Sequence, residues 1–251
     1  MLKRPSTRPF TFTNRSEDRV PIAFFEIDDR GISDYNDTYY SQLDVVHQKK
    51  QNEYFPDRLI LVEHPEVYTF GRKSKGLIPW KLKNAFAIER GGEATFHNVG
   101  QLVCYPLLTL RAKEKDAHLH LRRLEETIIQ LLKEFGIAAE RREGATGVWI
   151  SGKNKKIASI GIAISSWITF HGSAINVSND LSGFSNIDPC GFNASVMTSM
   201  KEELGSGCPS VEQVKQSFIK HFSEQFNRVS KDAAKALKKK ETKKINKKLV
   251  D

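Results

Sequence analysis

Residues Gly147 to Ile164 read GVWISGKNKKIASIGIAI. Two runs rich in β-branched and small apolar residues flank a polar Gly/Asn turn, a pattern that predicts a β-hairpin. The second run opens at Lys156 and continues as IASIGIAISSWITF, the longest mostly apolar stretch of the chain. Serines interrupt it, and it is shorter than the ~20 residues a membrane-spanning helix needs. It is therefore read as sheet, and nothing here is expected to span a membrane.

Working outward, further strand signals are RLILVEH (58–64), AFAIER (85–90), QLVCYPLL (101–108) and HGSAINVS (171–178). Helical spacing places Leu121, Leu124, Ile128, Leu132 and Phe135 on one face of a helix that Asp116 can cap at its start and Gly136 at its end. A second helix runs through PSVEQVKQSFIKHFSEQF (209–226), with Ser210 and Gln213 at capping-box spacing and Val214, Phe218, Phe222 and Phe226 inward. A weaker helix covers about Asp37 to Lys50. Strands and helices mix without regular alternation, which predicts an α+β fold with one central mixed sheet flanked by helices. No internal repeat or linker divides the body, so residues 1–229 are read as one domain.

The 251 residues carry a net charge of +9, of which +6 falls in residues 230–251, where nine lysines face three acids. That stretch has no aromatic residue for base stacking and no arginine fork for phosphates, so it is read as a solvated, mobile tail rather than a nucleic-acid arm. The first nineteen residues lack the apolar core of a secretory signal; their Arg and Ser/Thr content resembles an organellar transit peptide, and Glu17 and Asp18 weigh against that reading. Cys104, Cys190 and Cys208 form no C-x-x-C pair, which suits a reducing compartment: the cytoplasm, or an organelle matrix. Neither a P-loop nor H-E-x-x-H nor a Cys/His cluster is present, so no metal is expected.

Three places carry potential chemistry. In SNIDPCGF (185–192), Cys190 lies between Pro189 and Gly191, residues that resist helix and strand interiors, whereas an ordinary thiol packs in a core. Cys104 fits burial in a strand. Lys156 opens the second strand of the hairpin, where a lone lysine is usually a solvated strand end. RGGEATFH (90–97) begins with paired glycines, which form either a plain turn or a close backbone approach to a ligand.

Together these segments resemble the lipoate-protein ligase B type octanoyltransferases. The resemblance runs through GISDYNDTYYSQLDVVHQ, LILVEHPEVYTFGR, RGGEATFHNVGQLVCYPLL and GVWISGKNKKIASIGIAISSWITFHGSAINVSNDLSGFSNIDPCG, in the family's order and approximate spacing. It implies a fold of the biotin and lipoate ligase type. It also implies transfer of an octanoyl group from octanoyl-acyl carrier protein to a lysine of lipoyl domains, those of 2-oxoacid dehydrogenase complexes and the glycine cleavage H protein, without a cofactor. Cys190 matches the nucleophile and Lys156 its partner. Arg90, Gly91, Gly92, Glu93, Ala94, Thr95, Phe96 and His97 match the substrate loop. Ser159, Ile160 and Gly161, with Gly172, Ser173 and Ala174, match the other pocket segments. Val99 stands where the family has proline, Asn98 where glycine is common, and Ala163 and Ser166 where arginines are frequent.

In that reading an ammonium beside Cys190 lowers its thiol from ~8.5 into the range ~3.5–7.5. Lys156 then serves as general base for the incoming amine, and N–H groups around Gly161 or Gly191 stabilise the oxyanion. Acidic protein partners would be steered by the basic charge. Two rival readings stay open: an ATP-dependent lipoate or biotin ligase of the same fold, for which GRKSKG (71–76) resembles a phosphate-side loop, and a catalytically silent binding module.

Overall fold

A computed structural model of the chain describes residues 23–74, 78–189 and 193–234. In chain order the elements are β1 (Ala23–Ile32), α1 (Tyr35–Gln51), β2 (Asp57–Glu63), β3 (Val67–Phe70), β4 (Ala85–Ala87), β5 (Ala94–His97), β6 (Gln101–Leu107), α2 (Ala117–Glu134), β7 (Ala139–Arg142), β8 (Ala145–Ile150), β9 (Lys156–Ser165), β10 (Ile168–Asn176), α3 (Met200–Leu204), α4 (Val211–Phe226) and β11 (Arg228–Ser230).

Eight strands form the main sheet in the order β11-β1-β2-β6-β10-β9-β8-β7. β1 pairs in parallel with β11 and β2, and every other pairing in this sheet is antiparallel. The expected hairpin is β8 and β9, with Trp149 opposite Lys156. A second sheet, β4-β3-β5, stands beside it.

The main sheet is apolar on both faces because helices cover both. Along β2 the side chains alternate: Leu59 and Leu61 join the cluster around Leu124, Ile128, Phe218, Phe222 and Phe226 of α2 and α4. Ile60 and Val62 join Val45 and Val46 of α1. Such two-sided burial explains why the strands read as apolar runs rather than alternating ones. Cys104 is buried in the first cluster, as its strand context predicts.

The helix ends follow their sequence signals. Asp116 accepts hydrogen bonds from the N–H groups of His118 and Leu119, and Gly136 follows α2 at φ +81°. Ser210 and Gln213 form the reciprocal capping box at the start of α4. β11 is held from within: Arg228 donates to Asp57 at 2.9 Å and to both Glu114 oxygens at 2.8 and 3.0 Å, while Lys49 meets the other Asp57 oxygen at 2.7 Å. Ser230, placed with the tail by sequence, is buried and ends β11 beside Phe25, and Lys231 bonds Glu26 at 2.6 Å. Charge composition alone gives no sign of where this strand stops. The remaining lysine-rich residues, 235–251, and the N-terminal segment 1–22 lie outside the described residues.

Candidate active site

The two-glycine loop after β4 reaches the middle of β9. Gly91 N donates to Ile162 O at 2.9 Å, and a Cβ on Gly161 would stand 2.8 Å from the Gly91 carbonyl. Glycine is thus required at 161 for the loop to lie flat on the sheet. Arg90 turns inward and donates to the Thr69 carbonyl at 2.6 Å and hydroxyl at 3.1 Å, which ties the loop to β3.

Beneath the loop is a narrow cavity of about 40 Å³. Ten of the residues singled out by sequence line it: Arg90, Gly92, Thr95, His97, Ser159, Ile160, Gly161, Gly172, Ser173 and Ala174. Through Gly92, Ile160 and Gly161 it adjoins a cleft of about 200 Å³, which Gly91, Glu93 and Lys73 also line. Two expected pocket residues lie elsewhere. β5 alternates, so Thr95 and His97 face the cavity while Ala94 and Phe96 point the other way, into an apolar cluster with Trp149 and Phe184. Ala94 and Glu93 also border a third cavity, beside Ile187 and Asp188.

Six lining residues are additional: Tyr35, Thr69, Ile88, Val103, Tyr105 and His171. Tyr35 begins α1, Tyr105 lies on β6 and His171 on β10, so only the sheet order brings them together. The Tyr35 hydroxyl and Thr95 Oγ1 have no hydrogen-bond partner among the described residues.

The histidines here are neutral by construction. His97 Nδ1 lies 2.7 Å from Gln101 Oε1; because the Gln101 amide donates to Phe96 O and Asn176 Oδ1, its oxygen must accept, so His97 carries its proton on Nδ1. Burial, reinforced by His64 and Arg90, pushes the His97 pKa down to about 3. His64 donates to Ser33 O and accepts from the Tyr105 hydroxyl, and burial lowers it to about 4. Burial also lowers His171, whose Nε2 is 3.8 Å from Glu89. For Glu89 burial acts upward, but the nearby His171 imidazole and the hydrogen bond from Tyr39 outweigh it and hold the carboxyl at about 2.

Lys156 is no solvated strand end. It is 1% exposed, and its Nζ has no hydrogen-bond partner among the described residues. The ammonium stands 5.7 Å from the centroid of the Trp149 ring, over whose face a cation is attracted. Gly147, at φ +123°, makes room: a Cβ there would lie 2.6 Å from Lys156 Cε. The Lys156 carbonyl accepts from Thr198 N, and Lys156 bridges to Met197.

Cys190 and Gly191 lie outside the described residues. Their flanks are described: Pro189 bridges to Ala94 of the substrate loop, and Ile187, Val196 and Met197 pack in the same cluster as Trp149. Cys208, half-buried, lies in the loop before α4. Among the described residues no three His, Cys, Asp or Glu side chains gather as a metal site.

Residues 41–223 match the family model of the lipoyl protein ligase A/B catalytic domain. An octanoyltransferase of Thermosynechococcus vestitus is 41% identical over 78% of this chain and 87% of its own length. One of Thermoanaerobacter pseudethanolicus is 43% identical over 78% and 87%. The chloroplastic octanoyltransferase LIP2p2 of Arabidopsis thaliana is 40% identical over 76% and 74%. Among solved structures, a lipoate-protein ligase A bound with ATP superposes with a TM-score of 0.61 over 84% of this chain and 89% of that one, at 16% identity. An archaeal bipartite lipoate protein ligase from Thermoplasma acidophilum gives 0.62 over 83% and 87%, at 17% identity. Those two likenesses concern the fold, which is the mixed-sheet α+β architecture expected from the sequence. With the family model covering most of the chain and the relatives near 40% identity, the chain belongs to the lipoyl protein ligase A/B catalytic domain family, and within it to the octanoyltransferases.

Proposed function

We propose that Cys190 accepts an octanoyl group from octanoyl-acyl carrier protein and passes it to a lysine of a lipoyl domain, with Lys156 as its proton partner. Lys156 carries the reading: a wholly buried ammonium with no hydrogen-bond partner among the described residues, on the same strand that the substrate loop meets, calls for an anion or a mobile proton nearby.

The steps balance as follows. The Cys190 thiolate attacks the donor thioester carbon; the carrier sulfur leaves and takes the proton of the Lys156 ammonium, departing as a thiol. The acceptor lysine arrives as an ammonium and gives one proton to solvent. Its free amine attacks the octanoyl-Cys190 carbonyl, its second proton passes to the now neutral Lys156, and Cys190 leaves as thiolate. One thioester is exchanged for another and then for a more stable amide, so no nucleotide is consumed. The histidines around the cavity, held neutral by burial, shape it without adding charge.

The test is intact-mass measurement of the protein after incubation with octanoyl-acyl carrier protein and no nucleotide. One octanoyl group should appear on Cys190 and vanish in Cys190→Ala, while Cys104→Ala and Cys208→Ala retain it. An adduct on either of those two cysteines, or one formed only with ATP, overturns the assignment.

A further inference from the structure

Several basic side chains elsewhere on the protein are matched by acids: Arg122 and Arg141 by Glu125, Lys153 by Glu203, Lys220 by Glu134. The segment joining β3 to β4 differs. Arg72, Lys73, Lys81 and Lys83 lie on it with no acidic residue between Gly71 and Asn84. None of the four forms an ion pair or a side-chain hydrogen bond among the described residues, apart from Lys81 lying 5.3 Å from the Trp80 ring centroid. Trp80 itself is 87% exposed. A tryptophan left in water beside unpaired cations fits an interface anchor, because tryptophan and arginine concentrate binding energy where they become covered while rim lysines attract an acidic partner.

The placement gives the segment a target. Lys73 N donates to Gly92 O at 3.0 Å, so the segment is pinned to the substrate loop. Lys73 borders both the cleft that adjoins the acyl cavity and the third cavity. Pro79, next to Trp80, borders that third cavity together with Asp188, two residues before Cys190. A protein seated on Trp80 can therefore feed a flexible arm along the cleft.

We infer that Trp80, Lys81 and Lys83, with Arg72 and Lys73 at the cleft rim, dock the acidic carrier protein that delivers the acyl group. This rests on the octanoyl-transfer reading. The donor is favoured over the acceptor by charge: the donor's arm carries a phosphodiester anion, which the rim attracts, whereas the acceptor presents a lysine ammonium, which the rim repels.

Full-length protein and the variants Trp80→Ala and Lys81→Glu/Lys83→Glu are assayed with octanoyl-acyl carrier protein, and with octanoyl-N-acetylcysteamine, a small thioester lacking the phosphate and the protein. Each variant should raise KM for the carrier by about tenfold with kcat unchanged. KM for the small thioester and for the lipoyl domain should stay within about twofold, and the charge-reversal defect should shrink as salt rises. An unchanged carrier KM overturns the docking site. Equal losses with the small thioester show a structural loop, and a rise confined to the lipoyl-domain KM assigns the surface to the acceptor; either overturns it too. A wild-type protein that takes no octanoyl group from the carrier overturns the function itself, before any variant is compared.

Discussion

Three lysines are buried among the described residues, and two of them contrast sharply with the third. Lys49, 4% exposed, donates to Asp57 Oδ1 at 2.7 Å, the Phe55 carbonyl at 3.2 Å and the Thr109 hydroxyl at 3.2 Å. Lys215 is held by both oxygens of Asp29. Lys156, buried deeper than either, faces an aromatic ring and a glycine backbone. Burying an ammonium costs several kcal/mol unless hydrogen bonds and a countercharge offset it. At Lys49 the fold supplies both; at Lys156 the described residues supply neither. The satisfied lysine holds the structure together, and in the proposed mechanism the unsatisfied one serves the chemistry.

Substitution at the two sites should therefore fail in opposite ways. Lys156→Met keeps the stem over Gly147 and removes the charge. Acyl transfer should fall by about 10²–10⁴-fold, the usual worth of a positioned proton carrier, while the urea midpoint shifts little. A Lys156→Met protein that transfers at wild-type rate, or one that unfolds, would erase the contrast. Lys49→Met should do the reverse. It strips one partner from Asp57, which retains Arg228, so a loss near about 3 kcal/mol is expected by denaturant unfolding, with activity per folded molecule preserved.

Protonation sharpens the comparison further. His64, His97 and His120 are held at about 4, 3 and 3, each mainly by burial. A histidine whose folded pKa lies below its unfolded value of ~6.5 binds more protons unfolded, so stability falls as pH drops from about 6.5 toward the folded pKa, by up to ~1.4 kcal/mol per pH unit per group. Thermal unfolding should show that decline between pH 6.5 and 4. His120, packed on Phe226 away from the cavity, offers the control: His120→Leu should flatten the decline and spare activity. Because His97 stays neutral above pH 5, an acid limb in the rate profile near neutrality would belong to the thiol; one abolished by His97→Gln would contradict this.

What could be read from the sequence follows from the same physics. The β8–β9 hairpin, α2 and α4 announce themselves by local turn chemistry, caps and period. β1 does not: Glu26, Asp28, Asp29 and Arg30 sit among its apolar residues, with Arg30 paired to Asp28, Glu26 to Arg58 and Lys231, and Asp29 to Lys215, so the strand looks like loop. Arg90, His97, Gly161 and Gly172 were visible because their motifs are local. Tyr35, Tyr105 and His171 were not, since three distant elements converge on the cavity only through the order β2-β6-β10-β9. The opposed directions of Ala94 and Phe96 against Thr95 and His97 were legible in principle, from the two-residue period of a strand.

The lysines of the tail invite a different test from Lys156. Residues 235–251 hold eight lysines and two acids, a net +6, and nothing in their sequence demands burial. Ending the chain after Ala234 keeps β11 and the Lys231–Glu26 bond, so folding and acylation by a small thioester should be unchanged. The expected effect acts through the long-range field, which would attract acidic partners at low salt and is screened over ~10 Å at 0.1 M. The second-order rate with octanoyl-acyl carrier protein should drop a few-fold at ~0.01 M salt and converge with full length at ~0.15 M. Equal rates at low salt would confine steering to the Trp80 surface and leave the tail without a kinetic role; a difference that survives high salt would mean that these lysines, too, make a specific contact.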